Sequence, residues 1–444
     1  MSSNSTANES SIQPEDVHTI LGRHILADGF SVVFDFAKSH GARFHDLRSG
    51  QDYLDLFSFF ASQPIGFNHP GMADPDFQKR LLAASMCKPT NSDVYTVAMA
   101  SFVKTFAETC IPESHRDHLF FVEGGGLAVE NAMKAAFDWK YQKNALKGAP
   151  ATEDLQILHF ENAFHGRTGY TLTVTNTSDP RKYQYFPKFD WPRVPTPSAR
   201  FPLTPANLAD IEKAEAASIA AIEAAFAERT DKIAGILVET IQGEGGDNHF
   251  RPEFMKALRQ ICDQHEALLI FDEVQCGMGL TGTWWAWQQL DVQPDIFSFG
   301  KKSQVCGIAA NKRLDEIDSV FQTSSRLNST WGGNLCDMVR VERYIQIIEE
   351  ENLLANATKI GNEVKTALAR FADETGQINN VRGRGLMIAF DLPTEEARDA
   401  LAAKLYENKV IMLACGDLSL RFRPILDLTS EDGKLAVERI ISAF

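Results

Sequence analysis

Two neighbouring stretches decide the fold, Ala267–Gln275 (ALLIFDEVQ) and Ile296–Lys302 (IFSFGKK). Each is a continuous apolar run that ends at charged residues, a pattern typical of strands buried on both faces of a parallel sheet. Lys301 follows Asp272 by 29 residues, a gap that suits one crossover between parallel strands. Because the carboxyl ends of such strands meet at one edge, we expect the Asp272 carboxylate and the Lys301 amine to face one another.

The same pattern recurs along most of the chain. Further apolar runs lie at His118–Val122, Leu155–Phe160 and Ile233–Val238. Apolar residues between Val129 and Phe137 recur at the spacing of a buried helix face, and Leu208–Arg229 is rich in alanine and charge. The alternation of strand and helix predicts an α/β fold with a mainly parallel central sheet.

After Trp331 the pattern becomes that of a smaller α+β domain. One long helix is predicted over Asp337–Phe371, and a last helix closes the chain. Strands are predicted at Gly385–Leu392, Val410–Leu413 and Leu418–Phe422. Recurring aromatic residues in 29–59 indicate that the N-terminal region packs beside this domain. We therefore expect a disordered tail, an N-terminal segment of the small domain, a large domain and a C-terminal small domain, at 1–14, 15–75, 76–335 and 336–444.

Composition excludes several classes of partner. The 444 residues carry 44 Lys and Arg against 59 Asp and Glu, a net charge of −15, so we expect neither nucleic acid nor a membrane as a partner. Seven scattered cysteines without a C-x-x-C pair predict reduced thiols in the cytoplasm, with no disulfide framework and no metal site. No basic N-terminal stretch precedes an apolar run, and no run is long enough to cross a bilayer.

Three local features suggest chemistry, and each also has an ordinary structural explanation. Asp272 could be a helix cap or a surface acid, and Lys301 a solvated side chain. Lys301, however, ends an apolar strand, and the adjacent charge of Lys302 favours the neutral amine that a Schiff base requires. Gly124-Gly125-Gly126 joins a strand to a helix, where it either forms a tight turn or brings backbone N–H groups to an anion.

Together these features match the needs of pyridoxal 5'-phosphate (PLP): a lysine for its aldehyde, a carboxylate for its ring nitrogen and donors for its phosphate. The chain also resembles the class III, fold-type I aminotransferases, which act on ornithine, 4-aminobutyrate and lysine, and most of all their lysine-specific branch. The resemblance rests on motifs spread in family order over nearly the whole chain: 91–95 (NSDVY), 122–134 (VEGGGLAVENAMK), 163–170 (AFHGRTGY), 242–246 (QGEGG), 271–275 (FDEVQ), 299–307 (FGKKSQVCG), 325–333 (SRLNSTWGG) and 420–424 (LRFRP).

The resemblance implies a fold-type I PLP-dependent transferase and a role for each matching residue. Lys301 would bind the cofactor aldehyde and then move a proton. Asp272 would keep the ring nitrogen protonated, and Gln275 would bond the ring oxygen. Phe164 would stack on the ring, although taken alone it is equally a core aromatic residue.

The phosphate contacts implied by the resemblance cross a subunit boundary. Backbone N–H groups of Gly125 and Gly126 would bind the phosphate, and Thr330 would reach the phosphate of the neighbouring subunit, which implies a homodimer with shared active sites. Asn328 would line the same pocket. Most relatives have Ser or Thr in the glycine loop, so side-chain contacts to the phosphate are not expected here.

Lys301 and Lys302 are both candidates for the lysine that binds the cofactor. Most relatives have a single lysine, which is followed by a glycine pair four and five residues on. Lys302 has that spacing to Cys306-Gly307. We prefer Lys301, because the strand register counted from Pro294 places it at the strand end and because the lysine branch has the pattern FGKK.

Specificity is expected from arginines. Arg167 and Arg423 are the candidates for binding carboxylates by bidentate pairing, although an arginine taken at random is a surface residue. Glu244 is the predicted partner of Arg423, paired with it while lysine is bound and displaced when a keto acid arrives. Gln275 and Asn328 complete the predicted substrate contacts.

The resemblance implies transfer of the ε-amino group of L-lysine to 2-oxoglutarate, giving 2-aminoadipate 6-semialdehyde and L-glutamate. Ornithine or 4-aminobutyrate could be the donor on the same machinery. An aminomutase of the same fold would need no keto-acid acceptor. A non-catalytic cofactor-binding protein is the remaining alternative, and the presence of both Lys301 and Asp272 argues against it.

Overall fold

The computed structural model describes residues 12–150 and 152–444, so most of the predicted tail, residues 1–11, lies outside the described residues. The strands of the described part are β1 Arg43–Asp46, β2 Gln51–Asp55, β3 His118–Val122, β4 Gln156–Phe160, β5 Arg193–Val194, β6 Ile233–Glu239, β7 Ile241–Gln242, β8 Asn248–His249, β9 Leu268–Asp272, β10 Ile296–Phe299, β11 Cys306–Ala310, β12 Asn379–Arg384, β13 Met387–Asp391, β14 Val410–Ile411, β15 Leu413–Cys415 and β16 Ser419–Phe422. The α-helices span Val17–Gly22, Ser58–Ala61 (a single turn with left-handed φ values), Pro75–Ser85, Val97–Thr105, Gly125–Leu146, Gly169–Val174, Pro205–Glu228, Pro252–Gln264, Leu335–Glu350, Leu353–Thr375, Glu395–Glu407 and Ser430–Ser442.

A seven-stranded sheet in the order β3-β11-β10-β9-β6-β4-β5 forms the centre of the fold. All five predicted apolar runs are strands of this sheet, and the prediction of a mainly parallel sheet is confirmed: β5, β4, β6, β9 and β10 run parallel, while β11 is antiparallel to both of its neighbours. The sequence analysis missed β5 and β11. Every residue of β4, β6, β9 and β10 is buried, as expected for strands covered on both faces.

Helices cover the two faces of the central sheet. The helix Gly125–Leu146 contacts β6, β10 and β11, and its buried residues include Val129, Ala132 and Met133. The helix Pro252–Gln264 contacts β6 and β9 and belongs to a separate hydrophobic cluster. The strands are therefore fixed from both sides, which makes the edge formed by their carboxyl ends a rigid platform.

The N-terminal segment joins the C-terminal part of the chain through a second, three-stranded sheet, β1-β2-β14. Leu54 pairs with Val410, and the ring of Phe30 stacks on Tyr406 at 5.5 Å. A third sheet, β12-β13-β16-β15, is antiparallel. The predicted boundary near 335 remains a prediction, because the helix Leu335–Glu350 packs on helices that precede it in the chain.

The single long helix predicted over Asp337–Phe371 is wrong. Two helices occupy this region, and the chain turns between them at Asn352, whose φ of +51° lies in the left-handed region. Asparagine tolerates this conformation better than most residues. The apolar periodicity continues on both sides of the turn, so the break was not visible in the pattern. In the described part of the chain we find no helix that combines the length and the apolar character needed to span a membrane.

Candidate active site

The carboxyl ends of four parallel strands open onto one cavity of about 200 Å³. Seven of the predicted site residues line it: Gly125, Gly126, Phe164, Glu244, Asp272, Gln275 and Lys301. Asp272 ends β9, Lys301 follows β10 by two residues, and Phe164 lies in the loop after β4. Strand register thus gathers side chains that are far apart in sequence, as the parallel-sheet prediction required.

Asp272 is buried, and three hydrogen bonds hold its carboxylate. Its Oδ1 accepts hydrogen bonds from the backbone N–H of Val274 at 2.9 Å and from the Ser298 hydroxyl at 3.2 Å. Its Oδ2 accepts one from Nδ1 of His165 at 2.8 Å. The sequence analysis missed His165, although it follows Phe164 within the quoted AFHGRTGY motif. A lone histidine after a strand is usually a core residue, and only the structure shows its contact with Asp272.

Lys301 has a left-handed backbone, with φ of +49°, at the point where β10 leaves the sheet. A residue with a β-carbon adopts this conformation at some cost, and such strain often accompanies functional sites. Burial lowers the pKa of the Lys301 ammonium, against the opposite effect of Asp272, while Arg421 lowers it further. We expected the charge of Lys302 to lower this pKa, but burial is the main cause, and the cation that adds to it is Arg421.

Lys302 lies outside the cavity. Its Nζ donates to the carbonyl oxygens of Gln63 at 2.7 Å and Pro424 at 3.3 Å. Burial lowers the pKa of Lys302 to about 7, an effect that nearby Asp55 opposes. Lys302 therefore joins the N-terminal and C-terminal segments, and Lys301 is the lysine that faces the cavity.

The glycine loop forms the uncapped start of a helix. The helix begins at Gly125, and no side chain caps its first N–H groups. Gly126 and Gly166 approach closely: a Cβ on Gly166 would lie 2.7 Å from the Cα of Gly126. A Cβ on Gly125 would lie 2.8 Å from Val274 Cγ1. Space therefore excludes a side chain at Gly125 and Gly166, whereas a Cβ on Gly126 would make ordinary contacts. The glycines leave the backbone N–H groups of the positive helix end uncovered beside the cavity.

Glu239 is a second cavity residue that the sequence analysis did not select. It ends β6 beside Asp272, and its carboxylate accepts the backbone N–H groups of Phe164 at 2.9 Å and Gly243 at 3.0 Å. Burial raises the pKa of Glu239 to about 7. The sequence did contain a signal for Glu239. The apolar run Ile233–Val238 ends at this acid, just as the run before Asp272 ends at Asp272.

The predicted pair of Glu244 with Arg423 is wrong. Glu244 lies between two other cations: Arg421 Nη2 is 3.0 Å from its Oε2, and Lys182 Nζ donates to its Oε1. Arg423 instead pairs with Asp247 in the interior, and its Nη2 lies 3.4 Å from Oε1 of Gln275. Both acids lie in one loop and both arginines lie in or beside β16, so two acid–base pairs form side by side between the same two segments.

The other predicted residues lie outside the cavity in the single chain. Arg167, Asn328 and Thr330 are exposed. Asn328 Oδ1 accepts the backbone N–H of Ser329 at 2.7 Å, and the carbonyl oxygen of Thr330 accepts a hydrogen bond from Ser92 at 3.4 Å. Their roles toward the phosphate and the substrate remain predictions.

These features fit PLP. The uncapped helix end suits a phosphate, Asp272 suits a protonated ring nitrogen, and Lys301 suits the aldehyde. His165 adds a further observation: its buried Nε2 has no partner among the described residues, while its Nδ1 orients Asp272. The fold and the site define a fold-type I PLP-dependent transferase.

Comparison with known proteins agrees with this class. The model of the class-III aminotransferase family matches residues 27–444. The L-lysine-epsilon aminotransferase of Mycobacterium tuberculosis is 49% identical over 433 residues, which cover 97% of this chain and 95% of that protein. The protein of the same name from Streptomyces clavuligerus is 45% identical over 436 residues, 97% of this chain and 94% of that protein. This chain belongs to the class III aminotransferases, which are PLP-dependent.

A solved structure shows the same architecture. The lysine aminotransferase from M. tuberculosis in the internal aldimine form superposes with a TM-score of 0.94 at 49% identity, over 98% of this chain and 99% of that one. The similarity covers the central sheet and the smaller sheets, since it extends over nearly the full length of the two chains.

Proposed function

We propose that this enzyme transfers the ε-amino group of L-lysine to 2-oxoglutarate, giving 2-aminoadipate 6-semialdehyde and L-glutamate. Relatives named for this activity match along nearly the whole chain at 45% and 49% identity. The observation in the site that carries the proposal is the pair of Glu244 with Arg421 at the cavity. An arginine that is neutralised by an acid, and can be released from it, suits an enzyme that must accept two unlike substrates.

The two substrates place opposite demands on one pocket. Lysine presents its ε-amine, far from its carboxylate, whereas 2-oxoglutarate presents a keto carbon directly beside a carboxylate. We therefore assign to Arg421 the role that the sequence analysis gave to Arg423. Glu244 neutralises Arg421 while lysine is bound, and Arg421 binds the α-carboxylate of 2-oxoglutarate. Arg167 would hold the distal carboxylate of either substrate.

PLP, when bound, supplies an aldehyde that reacts with amines and a ring that withdraws electrons from the bonds of the amine-bearing carbon. Lys301, whose pKa is lowered by burial, would accept the proton from that carbon and return it to the carbon that carried the cofactor's aldehyde. Asp272 would hold the proton on the ring nitrogen, and His165 orients Asp272 through the 2.8 Å contact. Phe164 and the glycines of the uncapped helix end line the same cavity.

A homodimer with shared active sites is part of the proposal. Four apolar side chains in the NSDVY and SRLNSTWGG motifs or beside them, Val94, Tyr95, Val97 and Trp331, are between 40% and 89% exposed in the single chain. The two motifs adjoin, because the backbone N–H of Asn91 donates to the carbonyl oxygen of Trp331 at 3.1 Å. A partner subunit that covers this face would bring Thr330 to the neighbouring phosphate. Sedimentation of the purified protein tests the assembly.

A cytoplasmic location is proposed on the basis of the thiols. All seven cysteines are free in the part of the chain that the structure describes, and several are deeply buried. Free thiols persist in reducing compartments, where disulfides are rare.

The donor is tested by mixing the PLP-loaded enzyme with L-lysine, L-ornithine and 4-aminobutyrate in turn and following the cofactor absorbance. We expect L-lysine to remove the absorbance band of the cofactor attached to Lys301 at a lower concentration than the other two amines. A second assay, with and without 2-oxoglutarate, separates a transferase from an aminomutase, because only the transferase requires the keto acid for repeated turnover. Preference for ornithine or 4-aminobutyrate, or turnover without a keto acid, would contradict the proposal.

A further inference from the structure

Glu244 is held by two cations rather than one, and they come from opposite sides. Arg421 reaches its Oε2 from β16 at 3.0 Å. Lys182 donates to its Oε1 from a single 3-10 turn, Pro180–Lys182, between the helix Gly169–Val174 and β5. The Glu244 side chain is only 22% exposed. One carboxylate with two cations leaves a net positive charge beside the cavity.

The position of Lys182 is fixed by its own turn. Asp179 caps the turn by accepting the backbone N–H of Arg181 at 3.2 Å, and the backbone N–H of Gln184 donates to the carbonyl oxygen of Pro180 at 2.9 Å. Within the described residues Lys182 makes a single ion pair, the one with Glu244. The pKa of Glu244 is lowered: burial acts to raise it, but Arg421 and Lys182 outweigh that effect. The two cations together therefore favour the ionised carboxylate.

If Arg421 alone neutralised Glu244, its movement to a substrate carboxylate would leave an uncompensated anion next to an incoming dicarboxylate. Like charges at this distance repel, and a half-buried acid without a partner is costly. A second cation on the opposite oxygen removes that cost, because Glu244 stays paired when Arg421 leaves.

We propose that Lys182 is a positioning residue for the acceptor substrate: it retains Glu244 when Arg421 turns to the α-carboxylate of the keto acid. The inference rests on the proposed function, since it requires a keto-acid acceptor. Lys182 acts through Glu244 and does not touch the substrate. Its presence thus favours the half-reaction with 2-oxoglutarate over the half-reaction with lysine.

The test compares Lys182→Met with Arg181→Met, which removes the same charge one residue away. Arg181 is a matched control because its side chain is 84% exposed and pairs with Asp179. Single-turnover rates are measured for each half-reaction. We expect Lys182→Met to shift the ratio of the two specificity constants about tenfold toward lysine, mainly through the concentration of 2-oxoglutarate required. Lys182→Arg should restore the ratio, and Arg181→Met should leave it unchanged.

A second measurement uses glutarate, a dicarboxylate without a keto group, so that binding is read without turnover. Calorimetry should show glutarate binding weakened roughly tenfold by Lys182→Met, and not weakened further by it in a Glu244→Gln background. A full effect in that background would mean that Lys182 contacts the substrate directly and would overturn the proposal. Equal losses in both half-reactions would overturn it too. A wild-type enzyme that accepts no 2-oxoglutarate would refute the proposed function itself, and the inference with it.

Discussion

Arg421 and Arg423 give the sharpest test of the site, because they are only two residues apart and yet pair with different acids. Arg423 is 2% exposed and pairs with Asp247, which is fully buried. It also donates to the carbonyl oxygen of Phe422 at 3.0 Å. Arg421 pairs with Glu244, which keeps a second partner in Lys182. Replacing each arginine by methionine in turn should therefore damage different properties.

The expected magnitudes follow from burial. Arg423→Met leaves the Asp247 carboxylate buried and unpaired, which costs about 4 kcal/mol of unfolding free energy. An unfolding entropy of roughly 0.9 kcal/mol per kelvin for a chain of this length converts that loss into a fall in Tm of about 4 °C. Arg421→Met leaves Glu244 paired, so its Tm should fall by about 1 °C. The same variant loses a charge-assisted bond to 2-oxoglutarate, about 2 kcal/mol or roughly a thirtyfold slower half-reaction.

Thermal unfolding and single-turnover rates on the same two proteins check these values. The design is internally controlled, because both variants remove one guanidinium from the same segment. If Arg423→Met kept the wild-type Tm and lost the reaction with 2-oxoglutarate, while Arg421→Met kept that reaction, the assignment of the two arginines would be reversed.

Three further predictions follow from the lysines and Asp272. Borohydride reduction and peptide mapping should find the cofactor on Lys301, and Lys302→Ala should still be labelled; a label on Lys302 would contradict the geometry. Asp272→Ala should fold, bind PLP more weakly and lose most of its rate, and His165→Ala should show a smaller loss of both; near-normal turnover of the Asp272 variant would remove it from the mechanism. Burial lowers the pKa of Lys302 from 10.5 to about 7, so the unfolded chain binds more protons between these values and the contribution of Lys302 to stability rises with pH. In urea unfolding between pH 7 and pH 9, wild type should gain about 1 kcal/mol per pH unit over Lys302→Met, and parallel curves would refute this.

The sequence predicted those parts of the site that depend on local pattern. Asp272 and Lys301 were found because each follows an apolar run, and a run that is buried on both faces is recognisable without knowledge of its neighbours. The contact of His165 with Asp272 joins residues 107 positions apart. It depends on the order of strands in the sheet, which the pattern of a single strand does not contain.

The pairing of Glu244 could not be predicted for a different reason. The loop between β7 and β8 offers two acids, Glu244 and Asp247, and the segment around β16 offers two arginines. The sequence shows the two acids and the two arginines. It does not show how the two segments are aligned, and this alignment decides which acid pairs with which arginine. No sequence motif marks Lys182, since a lysine in a polar loop is normally solvated. Only its position beside Glu244 in the structure distinguishes it.

The sheet that joins the two ends of the chain has a consequence for synthesis. Lys409 bonds to the Tyr53 hydroxyl across 356 residues, and β2 completes its pairing only when β14 is present. All seven strands of the central sheet leave the ribosome before β14 does. During translation, β2 emerges long before β14, and the aromatic residues that later pack on Tyr406 stay uncovered until then. In that interval this part of the nascent chain is exposed to misassociation and to chaperones.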